Sequence, residues 1–179
     1  MHAEAYRWVA EHVQTPSMDA SWAMISVLDI GGRNINGTIR SLFPHADVYT
    51  ALDIAEGPEV DVVADAATWV PDREYDVVVC CEVFEHTDAW PDIVGTAFKA
   101  CKPGGMFIAT MAGPGRPEHS AVDGGWKLHP GEYYGNVDPF ELSEVLRVWG
   151  WTNVMVDQRM SPADVRAVAT KPGAEDGGA

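Results

Sequence analysis

The residues best equipped for chemistry in this chain gather at a few places. Glu82, Glu85 and His86 stand as Glu-x-x-Glu-His, two carboxylates and an imidazole in one short segment. Such a set can move protons, and its donor atoms suit Mg²⁺, Mn²⁺ or Zn²⁺. The segment 113–137 adds Arg116, His119, Asp123, Trp126, His129, Tyr133 and Tyr134 on a background rich in Gly and Pro. His119 is the first candidate for a base, because an imidazole titrates near neutral pH. His86 and Asp123 are the other two. Upstream, acids recur at Asp29, Asp53 and Asp65, and the first is followed by Gly31 and Gly32.

These residues need elements to position them. Tyr6, Val9 and Val13 share one helical face, which predicts an N-terminal helix ending before Pro16. Apolar runs at 25–29, 48–52, 60–64, 75–81 and 106–111 read as strands. The run YDVVVCC is the most strand-like, β-branched and continuous enough to be central. Between them, Ile39, Leu42 and Phe43 space as a helix stopped by Pro44. Ile93, Val94, Ala97, Phe98 and Cys101 trace another, entered at Pro91 and closed by Pro103-Gly104-Gly105. Asp138-Pro139-Phe140-Glu141 has the residues of a helix start. Two further strands are expected at 151–156 and 165–170. Strands alternating with helices make a doubly wound α/β sheet, helices on both faces. Each acid named above then falls at or just after a strand's carboxyl end, where such sheets bind ligands. The long segment 113–137 has the length and composition of a substrate lid.

The domain plan is an N-terminal helical segment over 1–22, one α/β domain over 23–170 and a disordered tail over 171–179. Of the 179 residues, 46% are hydrophobic and 22% charged, enough apolar material for a real core. The formal net charge is −15, which counts against a broad electrostatic grip on a nucleic acid backbone. Cys80, Cys81 and Cys101 contain no Cys-x-x-Cys and read as reduced, packed thiols of a cytoplasmic protein. No apolar run approaches a membrane span, and the first residues lack a signal peptide's pattern. His2, His12 and His45 read as surface residues.

At the carboxyl ends of the first three strands the chemistry suits an adenosine. Gly31 lets the backbone turn sharply against a ligand. Asp53 can accept both ribose hydroxyls, and Asp65 can reach an adenine edge. Dinucleotide binding would need Gly-x-G-x-x-Gly, and neither register of the GGRNING loop supplies it, because Arg33 or Asn34 stands at the second glycine.

The ordered series VLDIGG, ALDI, VADA, YDVVVCCEVFEH and KPGGMFIAT, spread over about residues 25–170, resembles the class I S-adenosylmethionine (SAM)-dependent methyltransferases. That resemblance implies a Rossmann-like sheet of about seven strands with the last antiparallel. It implies SAM as cofactor and S-adenosylhomocysteine (SAH) as product. Asp29, Gly31 and Gly32 would hold the methionine portion, with Asn36 from the same loop. Asp53 would bind the ribose and Ile54 pack on the adenine. Asp65 and Ala66 would contact the adenine, and Glu82 and Val83 would line the pocket below the sulfonium. Arg33, where the family has a glycine, either pairs with the methionine carboxylate or points to solvent. Some RNA and quinone-pathway relatives use a Glu-x-x-Glu-His pattern to hold a divalent metal, with a further His from the later loop. Glu82, Glu85 and His86 are the corresponding ligands, with His119 or His129 as the addition.

Three functions follow. The first is methyl transfer to oxygen or nitrogen of a small molecule, by a monomer or homodimer away from membranes. The second is a non-catalytic SAM-binding or partner-binding relative. The third is metal-assisted methylation of a nucleic acid.

Overall fold

The computed structural model describes residues 2–13 and 25–173. In chain order the elements are α1 (Ala3–Val13), β1 (Ser26–Ile30), β2 (Val48–Asp53), β3 (Val62–Val63), β4 (Tyr75–Cys81), α2 (Trp90–Ala100), β5 (Cys101–Ala112), α3 (Pro139–Val148), β6 (Thr152–Gln158) and β7 (Asp164–Thr170). The strands form one sheet of seven, ordered β3-β2-β1-β4-β5-β7-β6. β1 runs parallel to β2 and β4, and β5 parallel to β4. Only β7, the last in sequence, is reversed, pairing antiparallel with β5 and β6. This is the mixed sheet, with its last strand antiparallel, that the resemblance implies.

Strand alternation divides the core into two layers. Leu28, Ile30, Val78, Cys80, Phe107 and Ala109 face α2 and α3, meeting Ile93, Val94, Leu142 and Leu146. Val27, Val77, Val79 and Ile108 face the other way, meeting Trp8, Val9 and Val13 of α1 together with Ile39 and Leu42. Each fully buried side chain of this kind contributes about 1.5–3 kcal/mol. Helices therefore cover both faces, and α1 is fixed to the sheet by core contacts.

The start of α3 follows its sequence. The Asp138 carboxylate accepts hydrogen bonds from the backbone N–H groups of Phe140 and Glu141 at 2.8 and 3.1 Å, and Pro139 sits where no N–H is needed. Elsewhere local structure departs from the periodicity. The expected helix at 39–43 is a single 3-10 turn, Arg40–Leu42. The stretch is too short to pay for helix nucleation. Asn34 and Thr38 also turn their side chains onto the N–H groups of Gly37 and Arg40. Ile39, Leu42 and Phe43 are still buried. Cys101 opens β5 instead of closing α2, and the Pro103-Gly104-Gly105 step lies inside that strand where its register with β4 shifts. β3 is only two residues long.

The segment 113–138 holds no helix or strand. It is tied down all the same by Glu132, whose Oε1 accepts from Ser120 Oγ at 3.0 Å and from the N–H groups of Ala121 and Val122 at 2.8 and 3.3 Å. Lys171, assigned by composition to the tail, exchanges backbone hydrogen bonds with Gly104 and Gly105. The boundary at residues 22 and 23, and the tail from 174 onward, lie outside the described residues. Among the described residues, no helix is long and apolar enough to cross a membrane.

Candidate active site

Between β1 and β4 the strand order reverses, and parallel sheets open a crevice at the carboxyl ends of strands there. A cavity of about 500 Å³ occupies that position, a size suited to a cofactor and a small partner. Gly31 after β1, Asp53 and Ile54 at the end of β2, Asp65 and Ala66 after β3, and Glu82, Val83 and His86 after β4 all line it. Arg33 and Asn36 come from the first loop, Arg116 and His119 from the segment 113–137. Asp29 and Gly32 line a smaller recess of about 80 Å³ that shares Gly31, Arg33, Asn36 and Glu82 with the main cavity.

Why these residues converge is local chemistry. Gly31 has φ +77°, and a Cβ there would lie 2.1 Å from Val83 Cγ2, so only glycine fits the turn. Its N–H and that of Gly32 donate to Leu52 O at 2.7 and 3.1 Å, binding the first loop to the end of β2. The Asp53 carboxylate accepts from Arg33 N at 3.2 Å and Ala55 N at 2.9 Å, which holds it at the strand end. Asp65 likewise accepts from Ala67 N at 2.9 Å. Ile54 is largely exposed on the cavity rim.

Arg33 lines the cavity and does not point to solvent. Its Nη2 donates to Ala121 O at 3.0 Å, and its Nε stands 4.0 Å from Asp53 Oδ1. It thus clips the 113–137 segment over the first loop. Asn36 supports the same contact by packing its side chain against Gly124, where a Cβ would meet it at 2.0 Å.

Charge decides how the acids coexist. Asp29 is buried beneath the first loop, which pushes its carboxyl up to about 7 despite a 2.7 Å hydrogen bond from Tyr49 OH. Glu85 is fully buried, and burial, with the charge of Glu82 adding to it, pushes its carboxyl well above the usual range. Its Oε1 accepts from Ala112 N at 3.1 Å, while Oε2 has no partner. Burial likewise works against the charge of Glu82, but hydrogen bonding to His2, with Arg116 and Thr110 adding to it, holds its carboxyl below the usual range. Glu82 also has φ +58°, a conformation that costs a non-glycine residue free energy and turns the side chain toward the cavity.

His86 and His119 meet edge to face with ring centroids 4.9 Å apart, and Tyr134 lies within 5.7 Å of both. Burial, then the neighbouring His119, pushes His86 down to about 4, so its ring is neutral at physiological pH. His119 Nε2 lies 3.9 Å from Glu85 Oε1. Ligating atoms of Glu85, His86 and His119 all fall within 4.8 Å of one another. His129 is not with them. It pairs at the surface with Asp123, 3.1 Å away. Asp123 itself faces solvent, accepts from Gly125 N at 2.8 Å and does not line the cavity, so its expected place in the chemistry is withdrawn.

One residue was missed by sequence reasoning. His2, expected at the surface, lines the cavity, with Nε2 3.3 Å from Glu82 Oε2 and 3.2 Å from Asp164 Oδ2. Nothing in the local pattern marks it, because α1 brings it there from the far end of the chain. Burial opposes its charge, but the bonds to Asp164 and Glu82 outweigh that and push the imidazole up to about 10.

Comparison with known proteins agrees with this geometry. Residues 15–156 match the family model of the methyltransferase domain, and the chain belongs to that family. No curated protein matches it in sequence. Among solved structures it resembles phosphoethanolamine N-methyltransferase 2 of Haemonchus contortus in complex with SAM, with TM-score 0.68, 14% identity, and cover of 94% of this chain and 52% of that one. The chain thus spans about half the length of that enzyme. The DhpI–SAH complex matches at TM-score 0.62 and 22% identity over 97% of this chain and 95% of that one. A 1,6-didemethyltoxoflavin-N1-methyltransferase of Burkholderia thailandensis, solved with its substrate and SAH, matches at TM-score 0.63 and 16% identity over 94% and 78%. The fold is that of the class I SAM-dependent methyltransferases.

The His2 contacts give a pH signature. A cation whose folded pKa is raised stabilises fully below its ordinary value of 6.5 and loses that contribution as pH rises through about 10. Denaturant midpoints of the intact chain and His2→Gln should therefore differ most near pH 6 and converge by about pH 10. A gap that widens with pH would show that His2 is neutral in the fold.

Proposed function

We propose that this chain moves the methyl group of SAM to an oxygen or nitrogen of a small-molecule acceptor within the cavity at the β1–β4 switch point. The observation that carries this reading is the meeting of the ends of four consecutive parallel strands and the 113–137 segment on one cavity. SAM supplies a methyl group on a sulfonium, ready for in-line displacement. Asp53 takes the ribose hydroxyls, with Asp65 and Ala66 at the adenine and Ile54 against its face. Gly31, Gly32, Asn36 and the recess holding Asp29 take the methionine portion, and Arg33 holds the covering segment in place. Glu82 and Val83 face the methyl-bearing end.

Aligned donor and acceptor account for most of the rate in such a transfer. A hydroxyl acceptor also has to lose its proton. His119, on the covering segment and facing the cavity, takes that proton, and the neutral His86 ring beside it fixes its edge. Free thiols at Cys80, Cys81 and Cys101 fit a reducing compartment such as the cytoplasm. With a hydroxyl acceptor, His119→Ala should lower kcat by about 10²–10⁴-fold while leaving SAH affinity unchanged, read as SAH formation by chromatography. Unaltered kcat would remove His119 from the reaction.

A second reading concerns a metal. The donors fit one: Glu85, His86 and His119 converge, and the buried Glu85 Oε2 and His86 Nδ1 lack partners. Glu82, expected as a ligand, is instead engaged by Thr110 and His2, so the set becomes one carboxylate and two imidazoles. That set suits Zn²⁺, Mn²⁺ or Co²⁺ better than Mg²⁺, and a cation there would polarise a hydroxyl acceptor. Added Co²⁺ should give visible absorption of a protein-bound ion that His119→Ala abolishes. A spectrum unchanged from free Co²⁺ would end this reading.

A further inference from the structure

Docking of α1 through Trp8, Val9 and Val13 delivers His2 to the carboxyl edge of the sheet. There it completes a cluster. Asp164 at the start of β7 is paired with Arg116 Nη1, and its Oδ2 faces His2. Glu82 accepts from Thr110 Oγ1 at 3.0 Å through Oε1 and faces His2 through Oε2, with Arg116 Nη2 at 3.9 Å. Side-chain exposure is 22% for His2, 11% for Glu82 and 1% for Asp164. A buried carboxylate and a largely buried one thus share two cations, and one of those cations stands just ahead of α1, at the far end of the chain from Asp164.

A surface histidine drawn to acids on a chain of net charge −15 would be unremarkable. This one differs in two ways. Asp164 is buried and Glu82 largely so, and each would be costly without a counter-charge. Glu82 also sits in a strained backbone conformation that commits its carboxylate to this spot. A carboxylate placed so at the wall of the cavity is a seat for a cation, and His2 fills it.

Resting on the reading that Glu82 faces the methyl-bearing end, we propose that His2 is a specificity-determining residue that occupies the cation seat of Glu82 and Asp164, so that the site takes acceptors uncharged at the reacting group and turns away ammonium groups. Its ring and the guanidinium of Arg116 together cancel the two carboxylates. A neutral hydroxyl or neutral nitrogen then enters without an electrostatic penalty, whereas an ammonium leaves water for a wall whose carboxylates are already paired and finds no free counter-charge.

Sinefungin tests this without knowledge of the acceptor, because it carries an ammonium where SAM carries its methyl, whereas SAH carries no charge there. Calorimetric titrations of both would be compared for the intact chain, His2→Ala, His2→Lys and His2→Ala/Glu82→Gln, with thermal melts to confirm folding. In His2→Ala, SAH affinity should stay within about twofold while sinefungin affinity rises by at least about fivefold. His2→Lys should show no such rise, and adding Glu82→Gln should abolish it. Equal shifts for both ligands, or none, would overturn the proposal, since loss of an anchoring contact for α1 moves both alike. Failure of the intact chain to bind either ligand would instead count against the SAM reading itself.

Discussion

Carboxylates crowded at one edge of a sheet impose the constraint on which the rest of this structure depends. Asp29, Asp53, Asp65, Glu82, Glu85 and Asp164 all stand on or beside the crevice at the β1–β4 reversal. Left as free charges at short range they would repel one another and lose hydration together. Each meets a different solution. Burial pushes the carboxyls of Asp29 and Glu85 upward, so each holds a proton more readily than a free acid does. Asp53 and Asp65 are held by backbone N–H groups at the turns that follow their strands. Glu82 and Asp164 share Arg116 and His2.

Those compensating groups come from far apart in the chain, and this ties the outer elements to the site. Arg33 links the first loop to Ala121, Arg116 links the 113–137 segment to β7, and His2 links α1 to β4 and β7. Opening the covering segment would cost the hydrogen bond from Arg33 and free the carboxylates beneath. The segment has no regular structure, yet Glu132 collects four donors within it, including His129 N, so its closed form is built by local polar contacts.

Legibility in the sequence followed the range of the forces involved. β4 was readable residue by residue, because a strand buried on both faces has to be a continuous apolar run. The start of α3 was readable because its capping residues act within a single turn. Asp53, Asp65 and Gly31 were readable as strand-end residues that recur in order. The segment 39–43 misled because its apolar spacing reports burial, which it has, and not helix, which side-chain bonds to its own backbone prevent. Asp123 misled because a carboxylate in a polar loop has local partners that no periodicity reveals. His2 and the new role of Arg33 were invisible. Both depend on contacts across the whole chain, fixed only once α1 and the covering segment have docked.

The central claim is that the carboxyl edge of β1 to β4 is a SAM site with Asp53 at the ribose. Isothermal titration with SAH, performed on the intact chain and on Asp53→Ala, tests it most directly. Saturable binding to one site by the intact chain, weakened by about tenfold or more in the variant, is the predicted result. Binding that ignores the substitution would place the cofactor elsewhere. No binding at all would mean that the GGRNING loop no longer accepts it.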